Sequence, residues 1–117
     1  MTSNEVLKLL TDIINSIHSI DEHLEGKRIL EEYLNNKTKR RAVERELEII
    51  GEAMSKLLKL DPKIPLSYAR LIVDLRNKVI HAYDTIDDII VWKIITKDIP
   101  VLLTEADDLL KSGRTKQ

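Results

Sequence analysis

Apolar residues recur at three- and four-residue spacings along most of the chain, and nothing alternates with period two. That rhythm puts apolar side chains on one face of an α-helix and predicts an all-α domain without a sheet. In the first stretch Val6, Leu9, Leu10, Ile13, Ile14, Ile17 and Ile20 form the stripe. Thr2, Ser3 or Asn4 can cap it, and Gly26 marks its end, so a helix is expected over 4–24. A short helix over 27–35 should stop at Asn35 and Asn36. A longer one over 38–60 carries Val43, Leu47, Ile50, Met54, Leu57 and Leu58 on one side, with Gly51 inside the stripe. A mid-helix glycine costs about 1 kcal/mol relative to alanine, so this one predicts the close approach of a neighbouring helix.

Pro62 and Pro65 break the pattern, because proline lacks an amide donor and disfavours helix in the residue before it. A fourth helix is expected over 67–83, then a turn at Asp84 and Thr85. Thr85 with Asp88 makes an Asp-for-Glu form of the capping box for a fifth helix over 86–111. That helix carries Ile86, Ile89, Ile90, Ile94 and Ile95, and Pro100 should kink or restart it. Residues 113–117 read as a frayed polar tail. The expectation is one up-and-down bundle of about five helices over 1–112.

Composition narrows this further. A chain of 117 residues suits one domain, and 16 Ile and 17 Leu with one Trp and no Phe make its core branched aliphatic. So short a chain leaves much apolar surface exposed, which makes oligomerisation an expectation. The net charge of −1 offers no general attraction to polyanions, so nucleic acid would have to be met by a local patch. The absence of cysteine excludes disulfides, zinc–thiolate sites and Cys nucleophiles. No basic region followed by an apolar run stands at the N-terminus, and no apolar run is long enough for a membrane, so a soluble cytoplasmic protein is expected. Few aromatics argue against a base-stacking platform.

Candidate chemistry gathers on the fourth helix. At about 100° per residue, Ala69, Ile72, Val73, Val79, Ile80 and Tyr83 all lie near Arg76, which therefore stands within the apolar face. Asn77, His81, Arg70 and Asp74 share the polar side. A guanidinium keeps its proton, so burying one demands an anionic partner. Glu52, then Glu48, are the expected carboxylates. Arg76 then reads either as a core ion pair or as a cation held so that its remaining donors face an anionic substrate. His81, five positions on and about 140° round the helix, reads either as a favourable charge at a helix end or as a general acid and base. A site using both residues could be assembled from two subunits. Lys37, Lys39, Arg40 and Arg41, with Lys78 on the fourth helix, could meet RNA phosphates; a solvated helix start is the plainer reading of the cluster. His18 and His23 lack the four-residue spacing of a helical metal pair, and no metal or cofactor is expected.

The stretch RNKVIHAY, residues 76–83, resembles the Arg-x4-His-x-Tyr signature of HEPN domains of the HepT-like class. AVERELEIIGEA (42–53) and YDTIDDIIVWKIITKDIP (83–100) resemble that family's third-helix and last-helix segments, in the same order. Two places depart from it: Leu66, Ser67 and Tyr68 follow Pro65 where a Trp is common, and Asp74-Leu75 precede the Arg-Asn pair where Gly is common. The resemblance implies a helical bundle that forms a homodimer and brings two motifs to one interface. It implies a metal-independent ribonuclease toxin in which His81 moves protons during attack by the ribose 2′-OH and Arg76 stabilises charge on the phosphate. Asn77, Tyr83 and Glu52 would support them. It also implies a partner, a minimal nucleotidyltransferase antitoxin of the MntA type that attaches AMP to Tyr83 and blocks the site. The alternative is a non-catalytic module that binds or presents substrate to that nucleotidyltransferase.

Overall fold

Ser3 opens the first helix, α1 (Asn4–His23): its Oγ accepts the Val6 amide at 3.1 Å, satisfying one of the donors that a helix start leaves free. Residues 3–80 and 87–115 are described in this computed structural model. The end of α1 is a Schellman turn, with Gly26 N–H donating to Asp21 O and Glu25 N–H to Glu22 O. Glycine was expected to make this stop, and Gly26 has φ 71°, but the residue just past the cap is Glu25 at φ 57°. A side chain there costs about 1–2 kcal/mol. Glu25→Gly should therefore raise the melting temperature by roughly 4 °C, about 1 kcal/mol, while forfeiting only a 3.7 Å surface pair with Lys39. A lower melting temperature in a thermal scan would contradict this account.

The turn shortens the next helix, so α2 is Leu30–Leu34 rather than 27–35. Asn36 then caps α3 (Lys37–Leu60), its Oδ1 accepting the Lys39 amide at 3.0 Å. The α3 stripe is as read: Val43, Leu47, Ile50, Met54 and Leu57 are all buried. The proline segment follows, with Ile64 and Leu66 tucked into the core. Helix α4 (Ala69–Ile80) begins two residues later than expected. Ser67 is held outside the helix, where its N–H and Oγ–H both donate to the Glu105 carboxylate, at 3.0 and 2.6 Å. The expected continuation of α4 through 81–83 and the Asp84-Thr85 turn lie outside the described residues.

The start of α5 (Asp88–Lys93) is two residues later than the capping-box reading placed it. The cap is Asp87, whose Oδ1 accepts the amides of Ile89 at 3.0 Å and Ile90 at 3.2 Å. A carboxylate satisfies those donors and also suits the positive end of the helix. Pro100 does not restart the helix. A π-helical turn, Ile94–Asp98, joins α5 to α6 (Ile99–Thr115), and the helix runs on. The wider turn has Ile99 N–H reaching back to Ile94 O, directly ahead of the proline ring that would crowd a regular α-turn. Thr96 Oγ–H supplies a further donor to Trp92 O at 2.9 Å. With Leu110 docked on the core, α6 continues past the expected 111 to Thr115.

Among the described residues there is no strand. Helix α3 packs between α1 and α4, and α1 also packs on α6, giving the lateral order α4, α3, α1, α6. The molecule measures 46 × 29 × 18 Å, and its thin dimension is less than two helix diameters of about 10–12 Å each. Tyr33 joins α2 to α5 by packing on Trp92, ring centroids 5.1 Å apart. Its hydroxyl is buried without a partner among the described residues. Burial first, then the charges of Asp88 and Glu44, push this phenol above its ordinary range, with Arg40 opposing them. No helix among the described residues is long and apolar enough to cross a membrane.

Candidate active site

Helix α4 lies at one edge of the molecule and packs on α3. Over 69–77, where its side chains are described, Ala69, Ile72 and Leu75 are buried, while Arg70, Leu71, Asp74 and Asn77 are exposed. The buried stripe therefore centres on Ile72, and Arg76 sits beside that centre, half-buried. What lets an arginine lie there is the helix opposite. A Cβ at Gly51 would stand 2.2 Å from Arg76 Cβ, 2.7 Å from Arg76 Cγ and 3.2 Å from Ile72 O. The close approach expected of Gly51 is thus with Arg76 itself, a contact that the helical wheel of α4 alone does not reveal.

The far end of Arg76 is held by its own helix: Nη1 donates to Asn77 Oδ1 at 3.1 Å. Nε is buried with no hydrogen-bond partner among the described residues. An unmade bond at a buried donor costs about 1–3 kcal/mol. The expected carboxylates are engaged elsewhere. Glu48 pairs with Arg45 at 3.3 Å, and Glu52, 57 % exposed, pairs with Lys56 at 3.9 Å. The reason is geometric. Gly51 is the α3 residue that faces α4, and Glu52 is turned about 100° from it. Glu52 therefore lines a cleft on the α1 side of α3 with Asp12, Asn15, Ser16 and Lys56. Its expected support of Arg76 is withdrawn. Among the described residues no carboxylate lies within ion-pair distance of Arg76, so none of them neutralises the guanidinium at the edge of the bundle.

His81 and Tyr83, the other motif positions, lie outside the described residues, as does the side chain of Lys78. The basic cluster at the start of α3 is largely employed within the fold. Lys39 pairs with Glu25 at 3.7 Å and Arg41 with Glu44 at 2.9 Å. Arg40 donates to Leu34 O and Tyr33 O and pairs with Asp88 at 3.5 Å, joining the end of α2 to the start of α5. Lys37 remains exposed. His23 is likewise taken, its Nε2 lying 2.9 Å from Glu46 Oε2. Sequence reasoning missed Glu105, which ties the loop before α4 to α6; one acidic residue on a polar helix face gives no signal of so distant a partner.

A half-buried guanidinium on an edge helix, with no carboxylate in reach among the described residues, can bind an oxyanion through its accessible N–H groups. Known proteins resemble the chain over most of its length. A candidate RNase of Methanocaldococcus jannaschii is 38% identical over 109 residues, covering 92% of this chain and 98% of the relative. A second candidate RNase of that organism is 33% identical, covering 96% of this chain and 90% of the relative. A protein of Thermococcus cleftensis named as a probable ribonuclease HepT is 37% identical, covering 87% of this chain and 93% of the relative. No solved structure matches the chain. The family model described as ribonuclease HepT-like matches residues 13–109, and the chain belongs to that HepT-like family.

Proposed function

We propose that this chain is a metal-independent endoribonuclease, the toxin of a toxin–antitoxin pair, with a composite site built from Arg76 and His81 of two copies across a two-fold interface along α4. The observation that carries this reading is Arg76 itself, half-buried, with no carboxylate in reach among the described residues and with Nη1 steadied by Asn77. A structural ion pair would have spent that charge inside the fold. The relatives' names supply the substrate class, RNA.

In the proposed reaction the ribose 2′-oxygen attacks the adjacent phosphorus as its proton passes to His81. The P–O2′ bond forms, the P–O5′ bond breaks, and the 5′-oxygen leaves with a proton from an imidazole, so that two His81 rings at one interface can divide base and acid. Negative charge on the phosphorane oxygens grows towards the transition state, where the Arg76 guanidinium stabilises it. AMP attached to Tyr83 by a MntA-type nucleotidyltransferase would place further phosphate charge beside this cation and shut the site.

The test is incubation of the purified chain with RNA in excess EDTA, followed by analysis of the fragment ends. Fragments ending in 2′,3′-cyclic phosphate and 5′-hydroxyl are expected. Cleavage that stops in EDTA, or fragments carrying 5′-phosphate, would refute the mechanism. Intact RNA that nevertheless binds the chain would favour the alternative of a binding module.

A further inference from the structure

We propose that Gly51 is a positioning residue for Arg76: the empty space above its Cα holds the first two carbons of the arginine side chain and thereby aims the guanidinium. This rests on the ribonuclease reading above. Real Cβ atoms essentially never approach within 3.0 Å of another heavy atom, and a Cβ here would meet Arg76 Cβ at 2.2 Å and Cγ at 2.7 Å. The first of these cannot swing away, because Cβ is fixed to the α4 backbone. Relief would need α4 to slide or lift from α3. The neighbouring Ile72 carbonyl, 3.2 Å from the same point, blocks a small tilt in that direction.

Arg76 is thus fixed at two ends by contacts of different kinds. Its stem is fixed sterically over Gly51, and its tip is held by the 3.1 Å hydrogen bond from Nη1 to Asn77 Oδ1. The Nε between them is buried without a partner among the described residues. A side chain free to choose would bring that donor to solvent, so the backbone approach and the Asn77 bond together impose the observed path. Such prior fixing leaves less to reorganise when the phosphate arrives, and a displacement of about 1 Å can cost on the order of 100-fold in rate. A glycine inside a long helix is the cost accepted for it.

The experiment compares Gly51→Ala with Leu102→Ala, a change in the fully buried α6 core that lowers stability away from α4. Both are assayed on one RNA oligonucleotide at a temperature where circular dichroism shows each to be folded. Gly51→Ala should lose about 100-fold in kcat with KM changed only a few-fold, whereas Leu102→Ala keeps the wild-type kcat. In parallel, the Arg76 Nε–H resonance, assigned by its absence in Arg76→Met, should be protected from exchange in the wild type and shifted or unprotected in Gly51→Ala. Unchanged kcat together with an unmoved resonance overturns the proposal. Should Gly51→Ala not fold, Gly51→Ala/Arg76→Gly removes both colliding carbons and should melt above the single variant. A double variant no more stable than Gly51→Ala refutes the contact. If the wild type cleaves no RNA, the ribonuclease reading falls on its own, and the resonance and the double variant still decide what Gly51 does.

Discussion

Arg76→Met is expected to lose RNA cleavage by about 100- to 1,000-fold and, in the same sample, to melt no lower than the wild type. The methionine stem can follow the arginine stem over Gly51, so the α3–α4 packing is kept. The substitution removes a buried Nε with no partner among the described residues, relieving a cost of about 1–3 kcal/mol. Against this stands the loss of one exposed hydrogen bond to Asn77, worth about 0.5–1.5 kcal/mol, whose acceptor returns to solvent. The balance is a gain of roughly 1 kcal/mol, or a few degrees in melting temperature. Had Arg76 been buried against Glu48 or Glu52, removing it would have stranded a carboxylate and cost about 3–5 kcal/mol. A melt therefore separates the two pictures by sign, and a fall of 10 °C or more would restore the structural ion pair.

His81→Ala is the second large effect. Cleavage should fall by about 100- to 10,000-fold, the range for a lost general acid–base group, with the melting temperature within about 2 °C of wild type. The position belongs to the polar side of α4 as the sequence lays it out, with Asn77 and Asp74, both exposed. Imidazole added to the variant should restore part of the rate, because a small base can enter the space that the ring vacates. A merely structural histidine would show no such rescue. Wild-type cleavage by His81→Ala would remove the proton-transfer step from the mechanism, whatever Arg76→Met shows.

Most of the fold was legible because periodicity and capping are local. Residues Val6 to Ile20 and Val43 to Leu57 announce α1 and α3, and Asn36 follows the ordinary rule for a helix start. What was not legible depends on which side of a neighbour is met. A wheel orders residues around their own helix, but says nothing of how α3 is turned towards α4. Glu52, and after it Glu48, therefore looked able to reach Arg76, while the glycine between them was the true contact. Of the kink or restart expected at Pro100, the restart is absent for a related reason: the π-turn ahead of it is a response of the whole helix to the proline, not a preference of any one residue. Competing caps were decided by chemistry, with the Asp87 carboxylate setting the helix start two residues beyond the one that Thr85 had suggested.

The lateral order of the helices carries a consequence for how the chain folds. Helix α3 packs on α1 and α4, which precede and follow it in the chain, whereas the pairing of α1 with α6 joins the two ends of the chain. The final helix brings Trp92 to Tyr33, Asp88 to Arg40 and Glu105 to Ser67, and lies along α1. Loop closure is less costly for the short separations, so α1, α3 and α4 can associate early and the last helix completes the structure. During synthesis the stem of Arg76 can then meet Gly51 before the residues of α6 have left the ribosome, and the final helix closes over an arrangement already made.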